Sequence, residues 1–122
     1  MIGINDLGNR TSLAEVARTC QSILGALRGA GIQPLVVQSV LPLRRVAANP
    51  YRTRVADSDI VALNDALRRL AAGQGAEYLD LYTLFARPGG LPAEYTSDGL
   101  HLTGAAYRVW AAQLLPLLPP PA

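Results

Sequence analysis

Residues 35–41 read Leu-Val-Val-Gln-Ser-Val-Leu, a nearly continuous apolar run bracketed by Pro34 and Pro42. A run of this length and composition predicts a β-strand covered on both faces, as in parallel sheets. Parallel strands need long crossover connections, so helical segments are expected on either side of it in the chain.

Both flanking segments have helical patterns. Ser12 and Glu15 have the S-x-x-E spacing of a capping box at a helix start, and Gly29 ends that helix. Asp57 or Ser58 is predicted to cap a second helix. Apolar residues recur at helical spacing in both, at Leu13, Val16, Ala17, Cys20, Ile23, Leu24 and Leu27, and then at Ile60, Leu63, Leu67, Leu70 and Ala71.

The same pattern extends to both ends of the chain. Residues 1–4 predict the last half of a buried strand, and residues 78–82 predict a third strand. A loop over residues 83–102 then leads to a helix that Thr103 can cap, with Tyr107 and Trp110 expected in the core. Strand and helix thus alternate three times, which predicts an α/β fold with a parallel sheet and helices on both faces.

Composition bounds the function. The 122 residues are 50% hydrophobic and 16% charged, which suits one small packed domain. The net charge is +2, and no arginine cluster is larger than a pair. The charge therefore gives no indication of nucleic-acid binding. No apolar run is long enough to span a membrane. The single cysteine, Cys20, excludes an internal disulfide and a cysteine-rich zinc site, and we expect a buried, inert thiol.

Two short motifs fall at the predicted carboxyl edge of the sheet, where open α/β sheets place their chemistry. Asp98-Gly99-Leu100-His101 can join a carboxylate to one imidazole nitrogen, the arrangement of a histidine general base. Gly3-Ile4-Asn5-Asp6 can present a side-chain amide to a developing oxyanion. Taken singly, each motif is equally well interpreted as ordinary turn and capping chemistry.

Together, the two motifs resemble blocks III and V of the SGNH/GDSL-type hydrolases. The resemblance continues through Leu41-Pro42, residues 78–81 and the Thr103–Tyr107 segment that follows the histidine. It is closest to bacterial GDSL esterases related to sialate O-acetylesterases and platelet-activating-factor acetylhydrolases. It implies a three-layer α/β/α fold with flavodoxin-like strand order. It also implies His101 as general base, Asp98 as its orienting carboxylate, Asn5 as oxyanion-hole amide and Gly3 as a supporting residue.

The family's Gly-Asp-Ser block, which holds the nucleophile, is absent, and so is its second block. We therefore expect an N-terminally truncated fold, with Met1 an internal residue of a strand. Residues 1–115 would form a partial hydrolase domain of three strand-helix units, and residues 116–122 a proline-rich tail. Ser39 is the one serine expected near the correct edge, and the sequence around it has no nucleophile elbow.

The resemblance implies hydrolysis of carboxylic esters with short acyl groups such as acetyl, and neither a metal nor an organic cofactor. Two other hypotheses remain: a non-catalytic, partner-dependent remnant, and a small α/β binding domain. The expected ligand is a small acyl ester. An apolar edge strand without a neighbour also predicts self-association through the exposed sheet edge.

Overall fold

A computed structural model describes residues 2–121 of the chain. Within them lie five α-helices and two β-strands. The elements are α1 (Ile4–Gly8), α2 (Leu13–Gly29), β1 (Val36–Gln38), α3 (Asp57–Gln74), β2 (Glu77–Leu79), α4 (Leu81–Phe85) and α5 (Gly104–Leu114), with 3₁₀ turns at Ala93–Tyr95 and Leu115–Leu117. No helix of this part of the chain is both long enough and apolar enough to cross a membrane.

The sheet is parallel, as predicted, with β1 paired to β2 so that Val37 lies opposite Tyr78. Tyr78 packs against an apolar cluster formed with α2 and α3, whereas its neighbour Leu79 packs against a second cluster that includes residues of α4 and α5. Successive residues of a strand face opposite sides of a sheet. Helices therefore cover both faces of the sheet, which confirms the three-layer prediction.

Both strands are shorter than the sequence predicts. The ladder ends at the Ser39 N–H, which donates to the Leu79 carbonyl over 3.0 Å. Beyond it, the buried Asn64 side chain bonds the next residue in the strand direction, Val40. Its Oδ1 accepts from the Val40 N–H at 2.7 Å, and its Nδ2 donates to the Val40 carbonyl at 2.9 Å. A side-chain amide on α3 thus bonds Val40 where a neighbouring strand would otherwise lie, so residues 40 and 41 are buried without being paired in the sheet.

The predicted third strand is interrupted by a helix. Asp80 caps α4, because its carboxylate accepts from the Thr83 N–H at 3.0 Å and from the Thr83 hydroxyl at 2.9 Å. The same carboxylate pairs with Arg68 at 2.9 Å. Asp80 therefore has a structural role, and it begins a helix over residues that the sequence predicts to be strand and loop.

The predicted N-terminal strand is not found in the described residues. Ile2 and Gly3 have no ladder partner, and Met1 lies outside the described range. The Gly3 carbonyl instead accepts from the Leu7 N–H at 3.0 Å, the first bond of α1. Among residues 2–121, therefore, the backbone of this segment is bonded within α1 and not to a neighbouring strand.

Helix starts agree with the sequence in two of three cases. Ser12 and Glu15 form the predicted capping box, and Thr103 caps α5. The prediction for α3 was wrong: Ala56 is its cap residue, and Asp59 accepts from the Ala56 N–H at 3.0 Å.

The aromatic residues of α5 are more exposed than predicted. Tyr107 is 55% exposed and stacks on Trp110, whose ring centroid lies 5.7 Å away. Trp110 is half-buried, and its indole N–H donates to the Gln38 Oε1 at 2.7 Å. This helix buries only Ala106 completely, because nothing among residues 2–121 covers its outer face.

Candidate active site

Asp98 and His101 form a direct pair. The His101 Nδ1 lies 2.6 Å from the Asp98 Oδ2. The other carboxylate oxygen accepts from the N–H groups of Leu100 and His101, each at 2.8 Å. The hydrogen bond from His101, followed by these two backbone bonds, holds the pKa of Asp98 far below its ordinary value. The carboxyl is therefore ionised and acts only as an acceptor.

An ionised carboxylate at this distance favours the imidazole tautomer with its proton on Nδ1. The lone pair of a neutral ring is then on Nε2. The His101 side chain is 79% exposed, so this nitrogen can be reached from solvent. The pair has the geometry of a base held in one orientation by its carboxylate.

Buried polar groups fix the turn that carries this pair. The Thr96 hydroxyl donates to the His101 carbonyl at 2.7 Å and accepts from the Gly99 N–H at 2.9 Å. The Gly99 carbonyl accepts from the Arg44 N–H at 3.0 Å and from the Asn49 Nδ2 at 2.9 Å. The turn is thus bonded both to itself and to the loop that follows β1.

Only glycine fits at the centre of the turn. Gly99 has a φ of +86°, and a Cβ there would lie 2.2 Å from the Arg44 carbonyl oxygen. A side chain would therefore both strain the backbone and displace the loop after β1.

Asn5 is exposed on α1, and its amide is oriented by a tyrosine. The Tyr51 hydroxyl donates to the Asn5 Oδ1 at 3.0 Å. The Tyr51 ring lies so close over α1 that a Cβ at Gly8 would be 2.3 Å from it. Because the carbonyl oxygen of the amide is occupied, the Asn5 Nδ2 hydrogens are the donors that a ligand would meet.

The two motifs lie at the same end of the sheet. Ile4 and Leu100, which immediately precede Asn5 and His101, line one small apolar cavity together with Val40 and Leu43. Gly3 is buried against Val40 and Leu63. The structure therefore brings all four predicted site residues to the carboxyl end of β1.

Ser39 does not join them as a reactive group. It is 0% exposed, and its Oγ accepts from the Tyr82 N–H at 2.8 Å, which ties β1 to α4. Cys20 is buried as predicted, and desolvation raises the pKa of its thiol. Within residues 2–121 no three His, Cys, Asp or Glu side chains are grouped as metal ligands.

Sequence reasoning missed the residues that support the site. The arginine-rich, proline-containing sequence of residues 43–55 is typical of a solvated loop, in which Tyr51, Arg52 and Arg54 could line a substrate mouth. Asn49 is instead fully buried, and Tyr51 contacts Asn5. The only local signal is the Asn49-Pro50 pair, which indicates a turn but not the partners across it.

Comparison with known proteins supports the family resemblance found in the sequence. Residues 1–109 match the model of the GDSL-like Lipase/Acylhydrolase family. No curated protein sequence matches the chain significantly.

Three solved bacterial structures share the fold. A Streptococcus pneumoniae protein named for platelet activating factor superposes with a TM-score of 0.85 at 25% identity, over 95% of this chain and 56% of that one. A Bacteroides fragilis protein named as an acylhydrolase gives 0.82 at 22%, over 93% and 56%. A GDSL-like lipase from Bacteroides thetaiotaomicron gives 0.79 at 24%, over 93% and 57%.

This chain thus spans just over half the length of each of those structures. The family match, in contrast, covers most of its own residues. The chain belongs to the GDSL-like lipase/acylhydrolase family.

Proposed function

We propose that this chain supplies the acid–base and oxyanion groups of a carboxylic ester hydrolase that acts on short acyl esters. The observation that carries the proposal is the 2.6 Å contact between Asp98 and His101, which leaves Nε2 free to act as a base on an exposed side chain. Membership of a hydrolase family supports the same conclusion. Because the chain has no Gly-Asp-Ser block, the proposal assigns the nucleophile to residues outside it.

The chemistry assigned to each residue follows from its donors and acceptors. His101 Nε2 takes the proton of a serine hydroxyl as its oxygen attacks the acyl carbonyl. Asp98 stabilises the imidazolium, and the Asn5 Nδ2 donates to the tetrahedral oxyanion. The imidazolium then protonates the departing alkoxide. Water hydrolyses the acyl-serine by the same route, giving a carboxylic acid and restoring the serine.

The test is reconstitution of activity. We expect the chain alone to hydrolyse p-nitrophenyl acetate no faster than a His101→Ala variant. Loss of a serine nucleophile can lower kcat by about 10⁶. Co-expression with a segment that supplies a Gly-Asp-Ser strand is expected to restore turnover, which should be faster with acetate than with octanoate esters.

Two variants control the reconstitution. His101→Ala in the assembly is expected to remove the turnover, whereas Tyr107→Phe, on the exposed face of α5, should leave it unchanged. Turnover that does not depend on His101 would refute the proposed role. Strong His101-dependent turnover by the chain alone would place the nucleophile within it, and Ser39→Ala would then be the next variant.

A non-catalytic, partner-dependent role is the second candidate. It is favoured by the missing nucleophile block and by an open apolar groove between α2 and β1, lined by residues that include Ile2, Ile23 and Leu27. Binding of the complementing segment without turnover of any acyl ester would support this role over catalysis.

A further inference from the structure

The loop between β1 and α3 connects the two halves of the candidate site. Asn49, which is 0% exposed, uses both ends of its side-chain amide. Its Nδ2 donates to the carbonyls of Arg44 and Gly99, at 3.0 and 2.9 Å, and its Oδ1 accepts from the Tyr51 N–H at 2.8 Å. Its bonds therefore reach both the histidine turn and the tyrosine that contacts Asn5.

We propose that Asn49 is a positioning residue that sets the distance between the His101 base and the Asn5 amide, acting on Asn5 through Tyr51. Gly99 lies between Asp98 and His101, so a bond to its carbonyl constrains the turn that brings the pair together. Tyr51 in turn fixes the Asn5 rotamer through its hydroxyl, 3.0 Å from Oδ1. The catalytic consequence of this link rests on the proposed function, but the link itself can be tested without turnover.

Burial makes the link rigid. A buried amide whose donors and acceptor are all engaged has one orientation, since any rotation leaves buried polar groups unpaired. The Tyr51 ring is held against Gly8 of α1. A base and an oxyanion donor must be placed together to within a fraction of an ångström, which a loop alone does not achieve.

The single histidine makes the link measurable by nuclear magnetic resonance. In the ¹⁵N-labelled chain, the imidazole nitrogen shifts report which ring nitrogen of His101 carries the proton. We expect the Nδ1–H tautomer to dominate in the unaltered chain. Asn49→Ala is expected to shift the ring towards the Nε2–H tautomer and to move the Asn5 side-chain amide resonances.

Two variants separate positioning from general stability. Asn64→Ala also removes a buried amide that bonds backbone groups, but its partner is Val40. It should lower stability and leave the His101 tautomer unchanged. Tyr51→Phe removes only the hydroxyl, so it should move the Asn5 resonances and leave the His101 tautomer as it is.

The reconstituted assembly gives the catalytic readout. Tyr51→Phe is expected to lower kcat about tenfold with little change in KM, because an oxyanion donor acts on the transition state. The proposal is overturned if Asn49→Ala and Asn64→Ala change the imidazole shifts equally, if Tyr51→Phe leaves the Asn5 amide unchanged, or if the unaltered chain has a predominantly Nε2–H ring. An inactive assembly with the expected spectra would refute the proposed function alone.

Discussion

At the scale of single residues, the centre of the histidine turn leaves no room for a side chain. Gly99→Ala places a methyl group against the Arg44 carbonyl at a φ of +86°. We expect it to lower the free energy of unfolding by about 2 kcal/mol or more, since a left-handed non-glycine residue alone costs about 1–3 kcal/mol. Gly73→Ala is the matched control, because nothing lies within 4 Å of a Cβ there. It should be neutral or stabilising in urea denaturation, and equal effects of the two substitutions would contradict this account.

The Asp98 carboxylate gives the turn a pH dependence. Its folded-state pKa is depressed by His101 and by two backbone N–H groups. In the unfolded chain an aspartate titrates near pKa ~3.9. The unfolded state therefore binds the proton first as pH falls, so this contribution to stability is complete above about pH 4 and declines below it. Asp98→Asn should flatten the change in urea midpoint between neutral pH and about pH 3, and an unchanged acid slope would show that Asp98 is not the group responsible.

At the scale of elements, Asn64 determines where the sheet ends. Replacing it with alanine leaves the Val40 N–H and carbonyl without their partner in the interior. We expect a loss of about 2–3 kcal/mol in the free energy of unfolding, because each buried unpaired group costs about 1–3 kcal/mol. Chemical denaturation measures this. Thr83→Ala, which removes an exposed hydroxyl bonded to Asp80, should cost about 1 kcal/mol or less. A loss for Asn64→Ala no larger than that for Thr83→Ala would contradict the role given to Asn64.

Sequence predicted the elements whose pattern is local. The apolar stripe of α3 and the capping box of α2 each depend on residues three or four positions apart. Both predictions were confirmed. Strand ends were predicted less well, because they depend on distant partners such as the Asn64 amide at Val40. The residues that support the site were not predicted for the same reason: their partners are distant in the sequence. The contact between Asp98 and His101 spans three residues, whereas Asn49 reaches Gly99 across fifty.

At the scale of the whole molecule, the apolar groove between α2 and β1 is left open by the described residues. Its lining is mostly apolar and includes the exposed Ile2 and Ile23 together with β1 residues 36–38. In the described residues β1 is paired on one side only, by β2. An unpaired edge beside an apolar groove is a template for association. The Streptococcus pneumoniae and Bacteroides fragilis structures are longer than this chain, which covers 56% of each, so they have further residues that could cover such a surface.

We therefore expect the isolated chain to pair with a second copy through this groove instead of remaining a stable monomer. Ile23→Gln should shift the dimer towards monomer in sedimentation velocity at micromolar concentration, because it places a polar group in the apolar contact. Val61→Gln is the matched control. Val61 is 42% exposed on α3, close to the 43% of Ile23, but it does not line the groove. The Gly-Asp-Ser segment used in the reconstitution should compete with the second copy, so its addition should replace the homodimer with a one-to-one complex. Two results would show that this groove is not the contact surface. One is a monodisperse monomer that melts cooperatively, and the other is a dimer that Val61→Gln disrupts and Ile23→Gln does not.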